Sequence, residues 1–212
     1  MQQKEISKSV LKRLPVYLAY LKSQANGPVN ISATSLATAL SLGEVQVRKD
    51  LALVSDGGRP KIGYNKGSLI EDIEQFLGYD NTNEAVLIGA GGLGGALMGY
   101  TGFAEYGLNI VAAFDENPAL QGKKKSGKPI YPVSGLKQFC QENKILMGII
   151  TVPADRAQSV CDLLIDSGIL AIWNFAPAHL DVPKNILVQN ENMATSLAVL
   201  SKHLSVQIAG FE

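Results

Sequence analysis

The stretch "EAVLIGAGGLGGALMGY", residues 84–100, passes from an apolar, strand-like run into a glycine-rich turn and then into a helix-like segment. Within it, Gly89-Ala90-Gly91-Gly92-Leu93-Gly94 satisfies the pattern Gly-x-Gly-x-x-Gly. In that pattern Gly89 permits the tight turn, Gly91 lets backbone approach a pyrophosphate, and Gly94 lets the helix pack close to the strand, while the helix N-terminus stabilises negative charge. The motif alone is weak, and a glycine turn that merely packs a helix on a sheet satisfies it equally well. Its context is stronger: a second strand-like run ends in Phe114-Asp115, twenty-one residues after Gly94. A carboxylate there accepts hydrogen bonds from the adenosine ribose and repels a 2′-phosphate, so the expected ligand is NAD rather than NADP. Lys123, Lys124 and Lys125 on the next loop leave NADP open.

Outward from this motif, "AVLIG", "NIVAAF", "LMGIITV", "ILAIWNF" and "ILVQ" are short apolar, β-branched runs separated by amphipathic stretches. Alternation of this kind predicts an α/β Rossmann domain with a mostly parallel, doubly wound sheet over residues 81–190. Ala157, Val160, Cys161 and Leu164 fall on one helical stripe, as a crossover helix requires. Residues 191–212 repeat the helical pattern with Met193, Leu197, Leu200 and Leu204, but no strand follows to cover that stripe. Such a helix is expected to dock on another domain or subunit. The run "GKKKSGK", residues 122–128, reads as a solvated loop.

Residues 1–80 have a different character. Leu11, Leu14, Leu18 and Leu21 recur at helical spacing, and Pro15 is expected to open a fresh helix rather than lie inside one. Ser32 is placed to cap a helix carrying Leu36, Ala37 and Leu40, "SLG" turns the chain, and "EVQVRKDLALV" forms a third helix. "SDGGRPKIGYN" then reads as a small hairpin wing, giving an α-rich winged helix-turn-helix domain. In the third helix Val47, Leu51 and Val54 share the apolar face, while Gln46 and Lys49 point elsewhere.

The chain carries 19 basic and 19 acidic residues, but residues 1–66 hold ten Lys/Arg against four acids, a surplus of six. A basic first third fused to an acidic remainder points to a polyanion partner, with double-stranded DNA the leading candidate. Arg48 and Lys49 would then contact phosphates or base edges, and Arg59 and Lys61 would contribute from the wing. An ordinary solvated helix face is the competing reading of the same charges.

Enzyme chemistry finds little support. No Tyr-x-x-x-Lys occurs, and His179 and His203 have no orienting partner in sequence, so no catalytic residue is assigned. Cys140 and Cys161 form no CxxC, and neither they nor the histidines have ligand-like spacing; no metal site is expected, and both thiols are expected to be buried and unreactive. The first residues lack an apolar signal core and no run is long enough to span a bilayer, so a cytoplasmic protein without membrane contact is expected.

Taken together, "VQVRKDL", "KIGY" after a glycine-rich wing, "IGAGGLGGAL" with "YTGF", "TVPADRAQ", "NFAP" and "DVPKNILVQNEN" resemble the Rex family of bacterial redox-sensing transcriptional repressors. The resemblance runs from about Ser7 to the final helix. It implies a winged-helix domain over 1–80 that binds a two-fold symmetric operator, a Rossmann domain that binds NAD(H), and a C-terminal helix, 191–212, exchanged between the subunits of a homodimer. It implies that NADH lowers operator affinity. It places Gly89, Gly91, Gly94 and Asp115 on the adenosine and pyrophosphate side. Thr151, Val152, Pro153, Asn174, Ala176 and Pro177 fall on the nicotinamide side, with Tyr100 near that ring. A core aromatic is the competing reading of Tyr100. The sequence departs from the family at two places: Ala19 stands where the first helix typically carries an Arg, and Asn192-Met193 where the terminal region carries an Asp and an apolar residue. Both charged partners of the usual redox switch are absent together. Three functions follow: a redox-sensing repressor, a Rex-like DNA binder with an altered response or another ligand, and an NAD-dependent oxidoreductase with a basic appendage.

Overall fold

The computed structural model describes residues 6–24, 27–80 and 83–209, which divide into two compact units, Met1–Asn81 with Glu105–Gly107, and Thr82–Ala104 with Leu108–Glu212. In the first unit, helix α1 (Lys8–Ser23) is capped by Ser7, whose hydroxyl accepts from the Val10 amide. A two-stranded antiparallel ribbon, β1 (Asn30–Ile31) with β2 (Tyr64–Asn65), brackets α2 (Ala33–Ala39) and α3 (Glu44–Val54), and α4 (Lys66–Leu77) follows. Ser32 caps α2 by accepting from the Ser35 amide. Ser41, with φ 54°, makes the turn into α3. Arg59 and Gly63 exchange two backbone hydrogen bonds of 2.9 Å, closing the tip of the expected wing.

Two expectations are corrected here. Pro15 lies inside α1 and does not open a new helix. The cost of a missing N–H and of an αR residue before proline is offset because Leu14, Tyr17, Leu18 and Leu21, on both sides of it, are all fully buried. Leu11 is exposed, and the buried stripe runs instead through Val10, Leu14, Tyr17, Leu18 and Leu21. These pack with Leu36, Val47, Leu51, Leu69 and Ile73 in one core.

The second unit is a seven-stranded sheet of order β5-β6-β4-β3-β7-β8-β9. Its elements are β3 (Asn83–Ile88), α5 (Gly92–Gly99), β4 (Leu108–Asp115), β5 (Lys124–Lys125), β6 (Lys128–Pro132), α6 (Leu136–Asn143), β7 (Met147–Ile150), α7 (Ala154–Asp166), β8 (Ala171–Asn174), β9 (Leu187–Asn190) and α8 (Met193–Ala209). Every pairing is parallel except β5 with β6. Alternation along β3 sends Val86 and Ile88 to a core with α6 and α7, and Ala85 and Leu87 to a core with Met98 of α5. The chain builds outward from β3 to β4 and β6, then returns to β7 on the other side of β3. That reversal is the switch point at which open α/β sheets bind ligands.

Residues 122–128 are not simply a loop. Lys124 and Lys125 form β5 against Lys128 and Pro129, turning through Ser126 and Gly127, both at positive φ. The long Lys125 stem lies over Gly95, where even a Cβ would meet its ammonium, so apolar coverage of α5 holds a charged run in a strand. In α8, every residue from Ala194 to Ala209 is exposed, including Leu197, Leu200 and Leu204. The side chain of Met193 lies outside what is described. Cys140 and Cys161 are buried, and burial pushes both thiols up to about 11. Among the described residues no helix is long and apolar enough to cross a membrane.

Candidate functional site

The glycine loop forms where β3 ends. Gly89 has φ +98°, and a Cβ there would lie 2.8 Å from the Thr151 carbonyl oxygen. A Cβ on Gly94 would fall 1.9 Å from the Gly89 carbonyl oxygen and 2.7 Å from Thr151 Oγ1, so α5 reaches the sheet only without one. Thr151 ties the two strands together, its hydroxyl donating to the carbonyls of Gly89 at 2.7 Å and Ile88 at 3.0 Å. In contrast, Gly91 and Gly92 face open space, with nothing within 4 Å of where a Cβ would stand. Gly91 stands at the N-cap of α5 with no side chain to cap it, which leaves the first amides of the helix to an incoming anion.

Asp115 closes this loop from β4. Its Oδ2 accepts from the Ala90 amide at 2.7 Å and its Oδ1 from the Asn117 amide at 2.8 Å, and each oxygen retains a lone pair for a sugar hydroxyl. A cleft of about 220 Å³ brings together Gly89, Gly91, Asp115, Thr151, Val152 and Pro153. Ala90, Gly92, Leu93 and Gly94 shape the loop without lining that cleft. Six lining residues were not assigned to the site from sequence: Ile88, Phe114, Val133, Val160, Arg156, and Glu116, which pairs with Arg156 at 3.7 Å. Arg156 stands in the quoted "TVPADRAQ", and only the signal of a cation one turn into the helix after β7 marked it.

Asn174, Ala176, Pro177 and Tyr100 lie outside this cleft. Asn174 is fully buried: its amide nitrogen donates to Ala176 O, Ala178 O and Asn190 Oδ1 at 3.2, 3.1 and 2.8 Å, and its oxygen accepts from the Ala176 amide at 2.9 Å. It therefore shapes the loop after β8. Ala176 is buried in that loop and Pro177 is exposed. Tyr100 ends α5 and is 54% exposed, which removes the core-aromatic reading. Its ring meets Phe103 edge-on at 4.8 Å, and Phe103 meets Trp173 at 5.5 Å. Asn192 Oδ1 accepts from the Thr195 amide at 3.2 Å, capping α8.

In the first unit Gln46, Lys49, Arg59 and Lys61 are exposed, and Arg48 is exposed and paired with Glu44 of its own helix. Lys61 sits at φ 65° at the wing tip. Asp50, 3% exposed, was missed by the sequence reading although helical spacing puts it beside Val47 and Leu51. It accepts from Arg13 Nε and Nη2 at 2.7 and 2.9 Å and from the Tyr17 hydroxyl at 2.8 Å. Burial, and then donation to Asp50, pushes the Tyr17 phenol up to about 12. Donation to Asp50 raises Arg13 above its ordinary value.

Two family models match, one described as a putative DNA-binding protein N-terminus over residues 5–52 and one as a CoA binding domain over 80–178. The redox-sensing transcriptional repressor Rex of Bacteroides thetaiotaomicron is 38% identical over 95% of this chain and 92% of its own. The chain belongs to the Rex family. The Rex of Clostridium acetobutylicum is 37% identical over 94% of each chain. A solved Rex-family repressor, RSP, in complex with β-NAD+ and operator DNA superimposes with a TM-score of 0.91 at 35% identity, covering 98% of this chain and 96% of that one. RSP in complex with β-NADH gives a TM-score of 0.88 at 35% identity, covering 98% of each. These relatives are transcription regulators built on a Rossmann-like fold, and the fold expected from the sequence, a helical DNA-binding region before a mostly parallel α/β sheet, is the one observed.

Proposed function

We propose that this protein is a homodimeric, cytoplasmic transcriptional repressor that binds a two-fold symmetric DNA operator and is released from it as NADH replaces NAD+. The observation that carries this reading is the open glycine loop, Gly91 and Gly92 at an uncapped helix N-terminus with Asp115 beside it, in a chain whose first 66 residues hold a surplus of six positive charges. Solved RSP complexes with β-NAD+ and operator DNA and with β-NADH support it. Residues 1–80 are the DNA-binding domain, with Gln46, Arg48, Lys49, Arg59 and Lys61 facing the duplex. Residues 81–190 bind NAD(H), and 191–212 form the helix exchanged in the dimer, bringing Met193 to the cofactor side.

The residues fit the dinucleotide. The α5 amides take the pyrophosphate, Asp115 takes the adenosine ribose, and Val133 offers apolar surface on that side of the cleft. Thr151, Val152, Pro153, Asn174, Ala176, Pro177 and Tyr100 serve the nicotinamide side, with Asn174 acting through the loop it holds. The bound cofactor supplies a nicotinamide whose charge and planarity differ between its two forms; the protein's part is to distinguish them.

A second reading, a Rex-like DNA binder whose redox response is weak, is favoured by Asn192, which caps α8 as a neutral residue where the family's Asp would stand. A DNA titration with saturating NAD+ or NADH at fixed salt separates the two. Release by NADH alone establishes the first reading, equal affinity with both forms the second, and cofactor turnover on a small substrate would displace both in favour of an oxidoreductase. Loss of Asp115 to alanine is expected to weaken NADH binding and erase its preference over NADPH; tight NADPH binding indifferent to that change would refute the cofactor assignment.

A further inference from the structure

Arg13 of α1 holds two residues of α3 at once. Besides its paired bonds to Asp50 through Nε and Nη2, its Nη1 donates to Gln46 Oε1 at 2.8 Å in the amide orientation that satisfies both side chains. Gln46 and Asp50 stand one helical turn apart on neighbouring positions of one face, so a single planar fork spans them. Asp50 is buried and anchors the fork through Tyr17 as well, whereas Gln46 is exposed. An unrestrained glutamine amide presents either end. Guanidinium has donors only, so it accepts only the oxygen on its side, and Nε2 becomes the donor end of the side chain.

We propose that Arg13 is a positioning residue for operator recognition: it fixes the Gln46 amide so that Nε2 donates to a purine N7 in the major groove, giving each half-site a purine requirement at one position. This rests on the DNA-binding reading of residues 1–80. N7 is the acceptor that adenine and guanine share in that groove. Arg48, paired with Glu44, and Lys49 serve the phosphates, which carry affinity and salt dependence but no sequence.

The test uses the full chain, an operator duplex that it selects from a randomised library, the same duplex with 7-deazapurines placed one position at a time, and a scrambled duplex of equal length. The wild type is expected to lose about tenfold in affinity at one symmetric position when N7 becomes C–H. Gln46→Ala should lose nothing further there. Arg13→Lys retains a cation for Asp50 but has no fork to span both residues. It should keep the scrambled-duplex affinity and the salt slope while its N7 dependence falls below about threefold, with no further fall on adding Gln46→Ala. If Arg13→Lys melts too early to measure, Gln46→Glu keeps the Arg13 contact and removes the donor, and it should abolish the N7 dependence alike. Full N7 dependence in either variant, or an equal loss on operator and scrambled duplex in Arg13→Lys, overturns the proposal. A tightly bound operator with no N7-dependent position overturns the proposal alone, whereas a wild type that selects no duplex removes the DNA-binding reading with it.

Discussion

Glycines of the same motif have opposite tolerances. Gly91 opens onto space, so Gly91→Ala should leave thermal stability unchanged while weakening NADH binding by tenfold or more, because its methyl stands where the pyrophosphate approaches. Gly94 is hemmed in by the Gly89 carbonyl and Thr151, so Gly94→Ala should destabilise the fold by about 1–3 kcal/mol as well as lose NADH. Calorimetry and thermal melts on both variants check the contrast, and a stable Gly94→Ala would contradict it. The sequence marked both glycines but not this difference, which depends on the strand that follows β3 in space rather than in the chain. Cys140 and Cys161 allow a second check. With their pKa values raised to about 11, only about one thiol in a thousand is ionised at pH 8, so alkylation in the native protein should be far slower than in urea and should quicken as pH climbs toward 11. Rapid native labelling at pH 8 would show that one of them is accessible and activated.

Elements were legible where local pattern and tertiary packing agree. The β3 run, the capping Ser32 and the α7 stripe could all be read directly, because each is set by residues within a turn or two. Pro15 and the lysine run could not. α1 continues through Pro15 because burial on both sides outweighs one lost hydrogen bond, and β5 exists because β6 offers it a partner. Helix α8 carries the clearest element-scale expectation. Its exposed Leu197, Leu200 and Leu204 form a stripe of the width a partner helix buries, and burying one leucine contributes about 1.5–3 kcal/mol. Leu200→Asp should therefore raise the dissociation constant of the proposed dimer at least tenfold without lowering the helix content, as read by sedimentation and circular dichroism. An unaltered dimer would place the interface elsewhere, and a monomeric wild type would overturn the proposed dimer.

At the scale of the whole molecule, redox control in the proposed dimer must be carried by groups that favour one arrangement of its subunits. A ligand shifts an equilibrium only by its differential affinity for the two states, and a swing from 1:99 to 99:1 needs about 5.5 kcal/mol. By its resemblance to the family, the chain carries Ala19 and Asn192 where a charged pair is expected, and Asn192 is already engaged in capping α8. A neutral hydrogen bond contributes about 0.5–1.5 kcal/mol against about 1.5–3 for a charged one. NADH should thus release this protein from DNA less completely than its relatives, and Ala19→Arg with Asn192→Asp should widen the gap between cofactor forms more than either change alone. Titrations of the four proteins decide it; a wild type released about a hundredfold by NADH, about 2.7 kcal/mol, with no gain in the double variant, would show that the switch runs through other contacts. The sequence by itself determined the family, five of the seven strands of the large sheet, the glycine loop with Asp115 and the basic first third, since these are properties of neighbouring residues or of summed charge. Only the tertiary structure decided that Asn174 builds a loop rather than facing the cleft, that Glu116, Val133 and Arg156 line it, and that Arg13 grips Asp50 and Gln46. Those roles belong to groups far apart in the chain, and a side chain's spare hydrogen-bonding capacity is known only once its partners across the fold are in place.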